Sequence, residues 1–461
     1  MNLTAYGNEK KKILLLGDIV LVGIAFLVAV FTKAIFFSSY EVKNIFTRMD
    51  LLFILWIMLY PLSFYVFELY DRDTWQQNLR LLTRIILSVV TVSVLSAFLF
   101  YVFMPHFLIG RVILCVHAVL LTIIIFLWRK VFIERISGNK NIKIILLGKS
   151  SFFDDNVITH LEKRRLPLES VVTISEYSEN PGNIILNGTS TSLTELAKTR
   201  EVDAVVVAEN LNKFPLLKKQ LIDLRFSGVK IFDAPYFYEA LTGKVPLDYI
   251  KDTRFIFYNQ GKPFNAFTYR RIKKIMDRFL AVTGLLISVP LMMFIAVLIK
   301  IDSRGPVFFK QERLGQNEKP FTLIKFRTMV EDAEKLTGPK WASKDDPRIT
   351  RVGRLLRKTR LDELPQLFNV LKGEMSFVGP RPIRKYFADL LAEEIPYYRL
   401  RFLVKPGLSG WAQVKGDYAG SKMGQKEKLE FDLYYIQNQS ILFDFFIILK
   451  TFQTVLFRRG Q

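Results

Sequence analysis

Long apolar runs dominate the first 130 residues, and their lengths predict membrane helices. Each run approaches or exceeds the roughly 20 residues that cross the hydrocarbon core of a bilayer. The four runs cover residues 13–37, 51–67, 85–103 and 112–128. Lysine and arginine are frequent at the N-terminus, between the second and third runs and after the fourth, so both ends of this region should be cytoplasmic. The pattern predicts a membrane α-helical N-terminal bundle of four helices over residues 1–137.

The first run contains one acidic residue, Asp18. A carboxylate inside a membrane helix is costly, so it either has a function or bonds to a neighbouring helix. The sequence leaves both interpretations open.

Between residues 141 and 257 the pattern changes to short apolar runs separated by helical stretches. Runs at residues 142–147, 202–208 and 229–232 have the length and composition of buried strands, and their alternation with helices predicts a parallel sheet. We expect a central Rossmann-like α/β domain over residues 138–262. Because no Gly-x-Gly-x-x-Gly motif follows the first strand, the pattern favours a structural or regulatory role over dinucleotide binding.

A fifth long apolar run, residues 279–299, contains no charged residue. Its length alone would allow it to span a bilayer. Basic residues flank both of its ends, however, and Pro290 removes a helical hydrogen bond near its middle. These features favour a re-entrant membrane helix with a break around Ser288 and Pro290. The last apolar run, residues 441–457, carries two charged residues and predicts a helix lying in the membrane interface.

Charge is concentrated in the C-terminal part of the chain. The whole sequence has a formal net charge of +22, and residues 262–461 contribute 36 lysines and arginines against 20 aspartates and glutamates, a net +16. Such an excess indicates an anionic partner. Nucleic acid is one candidate, but the flanking apolar runs favour a membrane surface with a phosphorylated substrate.

Two adjacent carboxylates, Asp362 and Glu363, stand out in this basic region. They precede Pro365, which suits the first turn of a helix, and Gly373, which suits its end. The ordinary interpretation is a helix-capping aspartate with a solvated glutamate. A basic run leads into the pair with arginines at every third position, and it is either a solvated helix face or a contact for phosphate or anionic lipid. Because all three histidines and the single cysteine lie upstream, carboxylate, lysine or a metal must carry any reaction here.

The C-terminal motifs resemble those of the bacterial sugar transferases, the monotopic phosphoglycosyl transferases. The resemblance covers residues from about 273 to the C-terminus, and the layout of membrane helices and α/β domain extends it to the large members of the family. The motifs are Lys325-Phe326-Arg327-Thr328-Met329, Asp346-Pro347-Arg348-Ile349-Thr350, Leu361-Asp362-Glu363-Leu364-Pro365-Gln366, Val378-Gly379-Pro380-Arg381-Pro382 and Lys405-Pro406-Gly407-Leu408-Ser409-Gly410-Trp411.

The resemblance implies a C-terminal α/β transferase domain over residues 263–461 that moves a hexose 1-phosphate from a UDP-hexose to undecaprenyl phosphate. It implies that Asp362 is the covalent nucleophile, that UMP is released, and that Glu363 coordinates Mg²⁺. Lys274 and Asp277 are expected to position the membrane helix. The residues expected to contact phosphate are Lys325, Arg327, Arg354, Arg357 and Arg381.

The resemblance also implies a place and partners. The protein is expected in the bacterial inner (cytoplasmic) membrane, with its catalytic domain on the cytoplasmic face, bound to membrane lipids and to no nucleic acid. A homodimer is possible, and the sugar is left open. Two alternatives remain, a membrane-anchored NAD-dependent nucleotide-sugar dehydratase and a non-enzymatic scaffold of polysaccharide assembly.

Overall fold

The computed structural model divides the chain into two compact units, residues 1–141 and 142–461. It describes residues 3–36, 51–70, 78–103, 111–132, 142–148, 168–174, 176–177, 183–186, 189–208, 211, 214–247, 263–330, 346–416 and 422–456. The predicted domain boundaries at 137/138 and 262/263 lie in or against stretches outside these residues, so they stay predictions.

Within its described residues, the first unit is a bundle of four helices that correspond to the four predicted apolar runs. Helix α1 contacts α2 and α4, and α3 also contacts α2 and α4, which closes the bundle. Aromatic residues such as Trp56, Tyr60 and Phe64 fill its centre. By length and composition α1 and α4 could cross a bilayer, whereas the apolar segments of α2 and α3 are shorter within the described residues. The helices are α1 Leu3–Phe36, α2 Leu51–Val66, α3 Asn78–Phe103 and α4 Arg111–Val131.

Asp18 is bonded to side chains from elsewhere in the bundle. Its Oδ2 accepts hydrogen bonds from Tyr70 Oη and Arg129 Nη2, each at 2.7 Å. The carboxylate and the guanidinium are both fully buried. Of the two interpretations of Asp18, the structure supports the interhelical one, because a buried ion pair with an added hydroxyl donor joins distant parts of the chain.

The central part of the second unit contains a four-stranded parallel sheet with strand order β2-β1-β6-β7. The three predicted strands are present and parallel, which confirms the parallel α/β arrangement, whereas its assignment as Rossmann-like stays a prediction. Three short antiparallel strands precede the second half of the sheet. The sheet strands are β1 Ile142–Leu147, β2 Leu168–Ile174, β6 Ala204–Val207 and β7 Lys230–Asp233, and the short strands are β3 Glu176–Tyr177, β4 Asn183–Leu186 and β5 Thr189–Ser192.

In the described part of the chain, three helices accompany this sheet. Helix α5, Leu193–Thr199, begins at Ser192, whose hydroxyl accepts from the Glu195 backbone N–H. Helix α6, Pro215–Phe226, connects β6 to β7 and buries one leucine-rich face, and α7, Ala234–Thr242, follows β7. The chain then passes Gly243, whose φ of 72° favours glycine, and enters the core of the C-terminal domain at Val245.

Helix α8, Pro263–Asp302, contains the predicted re-entrant run and continues through Pro290 without an interruption. One face of it is buried in the C-terminal domain at positions three or four residues apart, as an α-helical stripe requires. These buried positions are Ala281, Leu285, Ser288, Met292, Ile295 and Ile299. The opposite face exposes large apolar side chains, for example Leu286 and Met293, and the helix is long and apolar enough to cross a membrane. Re-entry stays a prediction, and the structure contains no gap in the helix at the expected break.

The rest of the C-terminal domain packs small elements around α8. Strands β8 and β9 form an antiparallel hairpin, and β10 and β11 pair in parallel. The elements are β8 Phe308–Leu314, β9 Pro320–Phe326, α9 Arg351–Thr359, α10 Gln366–Lys372, β10 Ser376–Val378, α11 Lys385–Glu394, β11 Gly407–Ser409, α12 Trp411–Lys415, α13 Lys422–Gln437 and α14 Ile441–Leu456. Helix α14 matches the last predicted run, and its interfacial location stays a prediction.

Candidate active site

Asp362 and Glu363 lie in a short 3₁₀ turn, Leu361–Glu363, between α9 and α10. Helix α9 ends at Arg360, which has a left-handed φ of 57° and so reverses the chain direction. Pro365 precedes α10, and Gly373, with φ of 84°, ends it. The predicted helix signals are therefore confirmed, and the two carboxylates occupy a separate turn just before the helix.

Apolar neighbours seat this turn on helix α8. Leu361 and Leu364, which flank the carboxylates, pack against a cluster that includes residues of α8 such as Leu285. Leu367 in α10 lies so close to Gly284 that a Cβ added there would be 3.3 Å from a leucine methyl carbon. The acidic turn is therefore fixed directly against α8.

Asp362 is buried, with 8% of its surface exposed. Among the described residues it makes no hydrogen bond or ion pair, and its charge is balanced only at longer range. Burial and the neighbouring Glu363 raise the pKa of Asp362 to about 6, although Lys325, Arg381 and Arg357 oppose this rise. At neutral pH the group is mostly an ionised carboxylate with no hydrogen-bonded partner, which is the state that a nucleophile needs.

Glu363 has a different environment from its neighbour. Arg381 donates through Nη2 to Glu363 Oε1 at 2.7 Å and through Nη1 to Oε2 at 3.4 Å. Burial raises the pKa of Glu363, but the Arg381 ion pair more than offsets this and holds it below its usual value. Two adjacent carboxylates with pKa values shifted in opposite directions are typical of sites where the two groups have separate roles.

Lys325 and Arg357 complete the cationic side of the site. Lys325, in β9, lies opposite Phe309 of β8, with its Nζ 5.1 Å from the centre of that ring. Burial lowers the pKa of Lys325 to about 8, while Asp362 raises it. Arg357, in α9, donates from Nε to Thr328 Oγ1 at 2.8 Å. Three separate segments thus bring their cations to the carboxylates.

Two residues that the sequence predicted to contact phosphate, Arg327 and Arg354, have surroundings different from those of Lys325 and Arg357. Arg327 is buried and donates from Nη2 to the carbonyl and hydroxyl oxygens of Ser303, at 2.8 and 2.9 Å, where α8 has just ended. Its Nε and Nη1 are buried without a hydrogen-bond partner in the described part of the chain. Arg354 is exposed on α9. The roles of both as phosphate ligands stay predictions.

The residues predicted to position the membrane helix lie along α8. Asp277 Oδ1 accepts from the Phe377 backbone N–H at 3.0 Å, which joins α8 to β10 and agrees with a structural role. The pKa of Lys405 is lowered mainly by burial, and the positive charge of the nearby Lys274 lowers it further. Ser288 is buried, and its hydroxyl lies 3.5 Å from the Leu285 carbonyl oxygen.

Sequence reasoning missed the buried ion pair between Arg401 and Asp432, which contacts the Arg381 segment. Arg401 also contacts the Arg381 carbonyl, so it is linked to the carboxylate pair through Arg381. The partners are 31 and 20 residues apart along the chain, and no local spacing pattern connects them.

The carboxylates present fit one mode of Mg²⁺ binding. Within the described residues there is no group of three or more histidine, cysteine, aspartate or glutamate side chains that could hold a metal ion. A cage made only of protein ligands is therefore not formed by them. Mg²⁺ is commonly held by one or two carboxylates together with substrate phosphates, and Glu363 suits that arrangement, so its role as the Mg²⁺ ligand stays a prediction.

Comparison with known proteins identifies the C-terminal domain. The family model for bacterial sugar transferases matches residues 268–458. A UDP-N-acetylgalactosamine-undecaprenyl-phosphate N-acetylgalactosaminephosphotransferase of Aeromonas hydrophila is 44% identical over 218 residues, which are 47% of this chain and 50% of that protein. A UDP-glucose:undecaprenyl-phosphate glucose-1-phosphate transferase of Escherichia coli K12 is 43% identical over 185 residues, or 40% of this chain and 39% of that protein.

One shorter relative is matched almost completely. The exopolysaccharide production protein PSS of Rhizobium leguminosarum bv. phaseoli is 43% identical over 192 residues, which are 41% of this chain and 96% of that protein. The matched part of this chain spans about half the length of the Aeromonas relative and nearly all of the Rhizobium one. Lys325 and Arg381 of the family motifs lie beside the acidic turn, and 96% of this relative's length is matched at 43% identity. The chain therefore belongs to the bacterial sugar transferase family.

Proposed function

We propose that this protein transfers a hexose 1-phosphate from a UDP-sugar to undecaprenyl phosphate, as the first membrane step in the synthesis of an exopolysaccharide, capsule or O-antigen. The observation that carries this proposal is Asp362, a buried carboxylate that has no hydrogen-bonded partner among the described residues and lies amid Lys325, Arg357 and Arg381. The names of the relatives, which specify undecaprenyl phosphate and UDP-sugars, support the same reaction class.

The reaction would proceed in two displacements at one phosphorus atom. A carboxylate oxygen of Asp362 attacks the sugar-bearing phosphorus of the UDP-sugar, and the bond from that phosphorus to the bridging oxygen breaks. UMP leaves with the bridging oxygen, and the phosphosugar stays on Asp362 as an acyl phosphate. A phosphate oxygen of undecaprenyl phosphate then attacks the same phosphorus, and the Asp362 carboxylate is released. The sugar is now joined to the lipid through a diphosphate.

The surrounding charges account for the activation of this nucleophile. Attack by a carboxylate on a diphosphate brings together several negative charges, so cations must offset the repulsion. Arg381 and Lys325 would do so at the phosphates. Glu363, with the donor's phosphates, would hold Mg²⁺, which when bound supplies further positive charge to the diphosphate.

Apolar surface beside the acidic turn favours a membrane-bound acceptor. The outward face of α8 exposes large apolar side chains, and α10, which follows the turn, exposes part of Phe368 and Leu371. An apolar surface of this kind on both elements fits a lipid environment better than water. We therefore propose that the catalytic domain lies on the cytoplasmic face of the inner membrane, where both the nucleotide sugar and the lipid phosphate are reached.

The covalent intermediate is the decisive test. Purified protein with Mg²⁺ and each of UDP-N-acetylgalactosamine, UDP-glucose and UDP-galactose, without acceptor, should release about one UMP per active site. The intact mass of the protein should rise by one phosphosugar, and the added mass should map to Asp362. Addition of undecaprenyl phosphate should remove the added mass and form the lipid product.

Asp362→Asn should show neither UMP release nor added mass. UMP release that persists in the Asn variant would reject Asp362 as the nucleophile. No turnover with any of the three donors, while the protein stays folded, would favour the scaffold interpretation over the enzyme.

A further inference from the structure

Arg401 and Asp432 form a buried ion pair that the proposed chemistry does not use directly. Arg401 Nη2 donates to Asp432 Oδ2 at 2.8 Å, and the two side chains are 8% and 2% exposed. Arg401 Nη1 donates to the Tyr398 hydroxyl, and its guanidinium carbon lies 5.1 Å from the centre of the Tyr398 ring. Burying two charges is costly, and apolar residues of similar size are often at least as stabilising. Stability is therefore a poor explanation of the pair.

The pair is bonded to the segment that carries Arg381. Arg401 Nη2 also donates to the backbone carbonyl of Arg381, at 3.2 Å. Pro380 and Pro382 flank Arg381, and proline fixes its own φ, lacks an N–H donor and restricts the residue before it. The backbone carbonyl oxygens are therefore the main hydrogen-bonding groups through which the rest of the domain can hold this segment.

The neighbouring carbonyl oxygens of the segment also accept hydrogen bonds from other parts of the domain. The Pro380 carbonyl accepts from the Gly407 N–H, and the Ile383 carbonyl accepts from the Leu314 N–H, both at 2.9 Å. At these two positions the donors belong to the backbone, whereas at Arg381 the donor is a side chain that is itself fixed by Asp432. The placement of Arg381 thus depends on α13, the helix that carries Asp432.

We propose that Arg401 and Asp432 are positioning residues that hold the Pro380–Pro382 segment so that the Arg381 guanidinium meets Glu363 and the substrate phosphate. This proposal rests on the proposed function. Arg381 reaches Glu363 at 2.7 Å, and the two flanking prolines leave few backbone torsions that could restore this contact if the carbonyl anchor were lost. Arg401 and Asp432 touch neither the substrate nor the reacting atoms in this scheme.

A double-mutant cycle separates positioning from general stabilisation. Arg401→Lys keeps the positive charge but lacks the planar fork that serves three acceptors. It should lower the rate of UMP release about tenfold. In an Arg381→Gln background the same change should lower the rate less than about twofold, because the group it positions is gone. Equal losses in both backgrounds would overturn the proposal.

The matched control is Arg399→Lys in the 3₁₀ helix Tyr398–Leu403, which also carries Arg401. Arg399 is exposed and pairs with Glu318 and Asp389, and its variant should keep the wild-type rate within about twofold. Asp432→Asn is a second, milder variant that keeps the shape of the side chain and removes its charge. If Arg401→Lys does not fold, Asp432→Asn in both backgrounds gives the same comparison with the same deciding outcomes.

Hydrogen–deuterium exchange gives a readout that does not depend on activity. Arg401→Lys should raise exchange of the Gly407 and Leu314 amides, which donate to the Pro380 and Ile383 carbonyls of this segment, and leave peptides covering α9 and α10 unchanged. Unchanged exchange at both amides would overturn the proposal. Raised exchange in a protein whose wild type releases no UMP would keep the positioning contact and reject the proposed function, so the two failures are distinguishable.

Discussion

Two buried aspartates, one in each unit, show how differently the protein treats the same side chain. Asp18 in the helical bundle is fully buried and accepts hydrogen bonds from Tyr70 and Arg129, each at 2.7 Å. Asp362 in the C-terminal domain is 8% exposed and has no bonded partner in the described ranges, only cations at longer range. A buried charge bonded directly to donors is committed to those contacts and is costly to separate from them, whereas a charge balanced at a distance stays available for reaction.

Replacement of each of these two aspartates by asparagine gives the largest expected effects. Asp362→Asn should lower UMP release by at least about 1,000-fold and leave the free energy of unfolding unchanged or higher, because it removes a buried charge that has no bonded partner. Asp18→Asn should lower the free energy of unfolding by about 3 kcal/mol, because Arg129 then stays buried without its counter-charge. UMP assays and denaturant unfolding in detergent would measure both.

The folded fraction of Asp18→Asn provides the control, because it should release UMP at the wild-type rate per folded molecule. An Asp362→Asn variant that unfolds as easily as Asp18→Asn would mean that Asp362 is structural and would break the comparison.

Arg381→Gln tests the cation that forms an ion pair with Glu363 but not with Asp362. It should lower kcat/KM for the UDP-sugar about 100-fold, because a charge-assisted contact to the phosphate and the ion pair to Glu363 are both lost. Initial rates of UMP release over a range of donor concentrations would measure this. Arg399→Gln, which removes an exposed arginine of the same domain, should change kcat/KM less than about twofold, and an equal loss in both variants would argue for a general charge effect.

The pH dependence of the reaction should report Asp362 and Lys325. Asp362 attacks as a carboxylate, and its pKa is raised to about 6, so kcat/KM should fall as the pH drops through about 6. Lys325 has a pKa lowered to about 8, so its positive charge, and with it the rate, should be lost as the pH rises through about 8. A pH–rate profile from pH 5 to 9 would measure both limbs.

Lys325→Arg assigns the alkaline limb. Arginine keeps its charge throughout this range, so the variant should lose the alkaline limb and keep the acid limb. An alkaline limb that is unchanged in this variant would show that another group titrates there.

The smallest effects concern how closely the elements around the acidic turn approach one another. A Cβ on Gly353 of α9 would lie 2.1 Å from the Thr328 carbonyl oxygen, which is backbone and cannot move aside. Gly353→Ala should therefore lower the free energy of unfolding by about 2 kcal/mol. Gly284→Ala should cost less, because its Cβ would meet only the flexible end of Leu367 at 3.3 Å. Denaturant unfolding of both variants would test the order, and an equal cost would contradict it.

Much of the architecture could be predicted because its signals are local. Four apolar runs became the helices of the bundle, and the three predicted strands of the central domain occur in a parallel sheet. Pro365 and Gly373 bound α10 as their backbone preferences require. The proline signal at Pro290 was less informative, since α8 continues through it, with Ser288 and its neighbours packed against the C-terminal domain. Tertiary packing can support a helix through a proline that local preference alone would end.

The sequence by itself determined which residues could do chemistry: an acidic pair with no histidine or cysteine nearby, arginines and lysines in excess, and apolar runs for a membrane. Only the tertiary structure decided which of these groups meet. It joined Arg381 to Glu363, brought Lys325 to Asp362, directed Arg327 to Ser303 and tied Arg401 to Asp432. The physical reason is that periodicity and capping act over a few residues, whereas burial and ion pairing depend on segments that are far apart in the chain and adjacent only after folding.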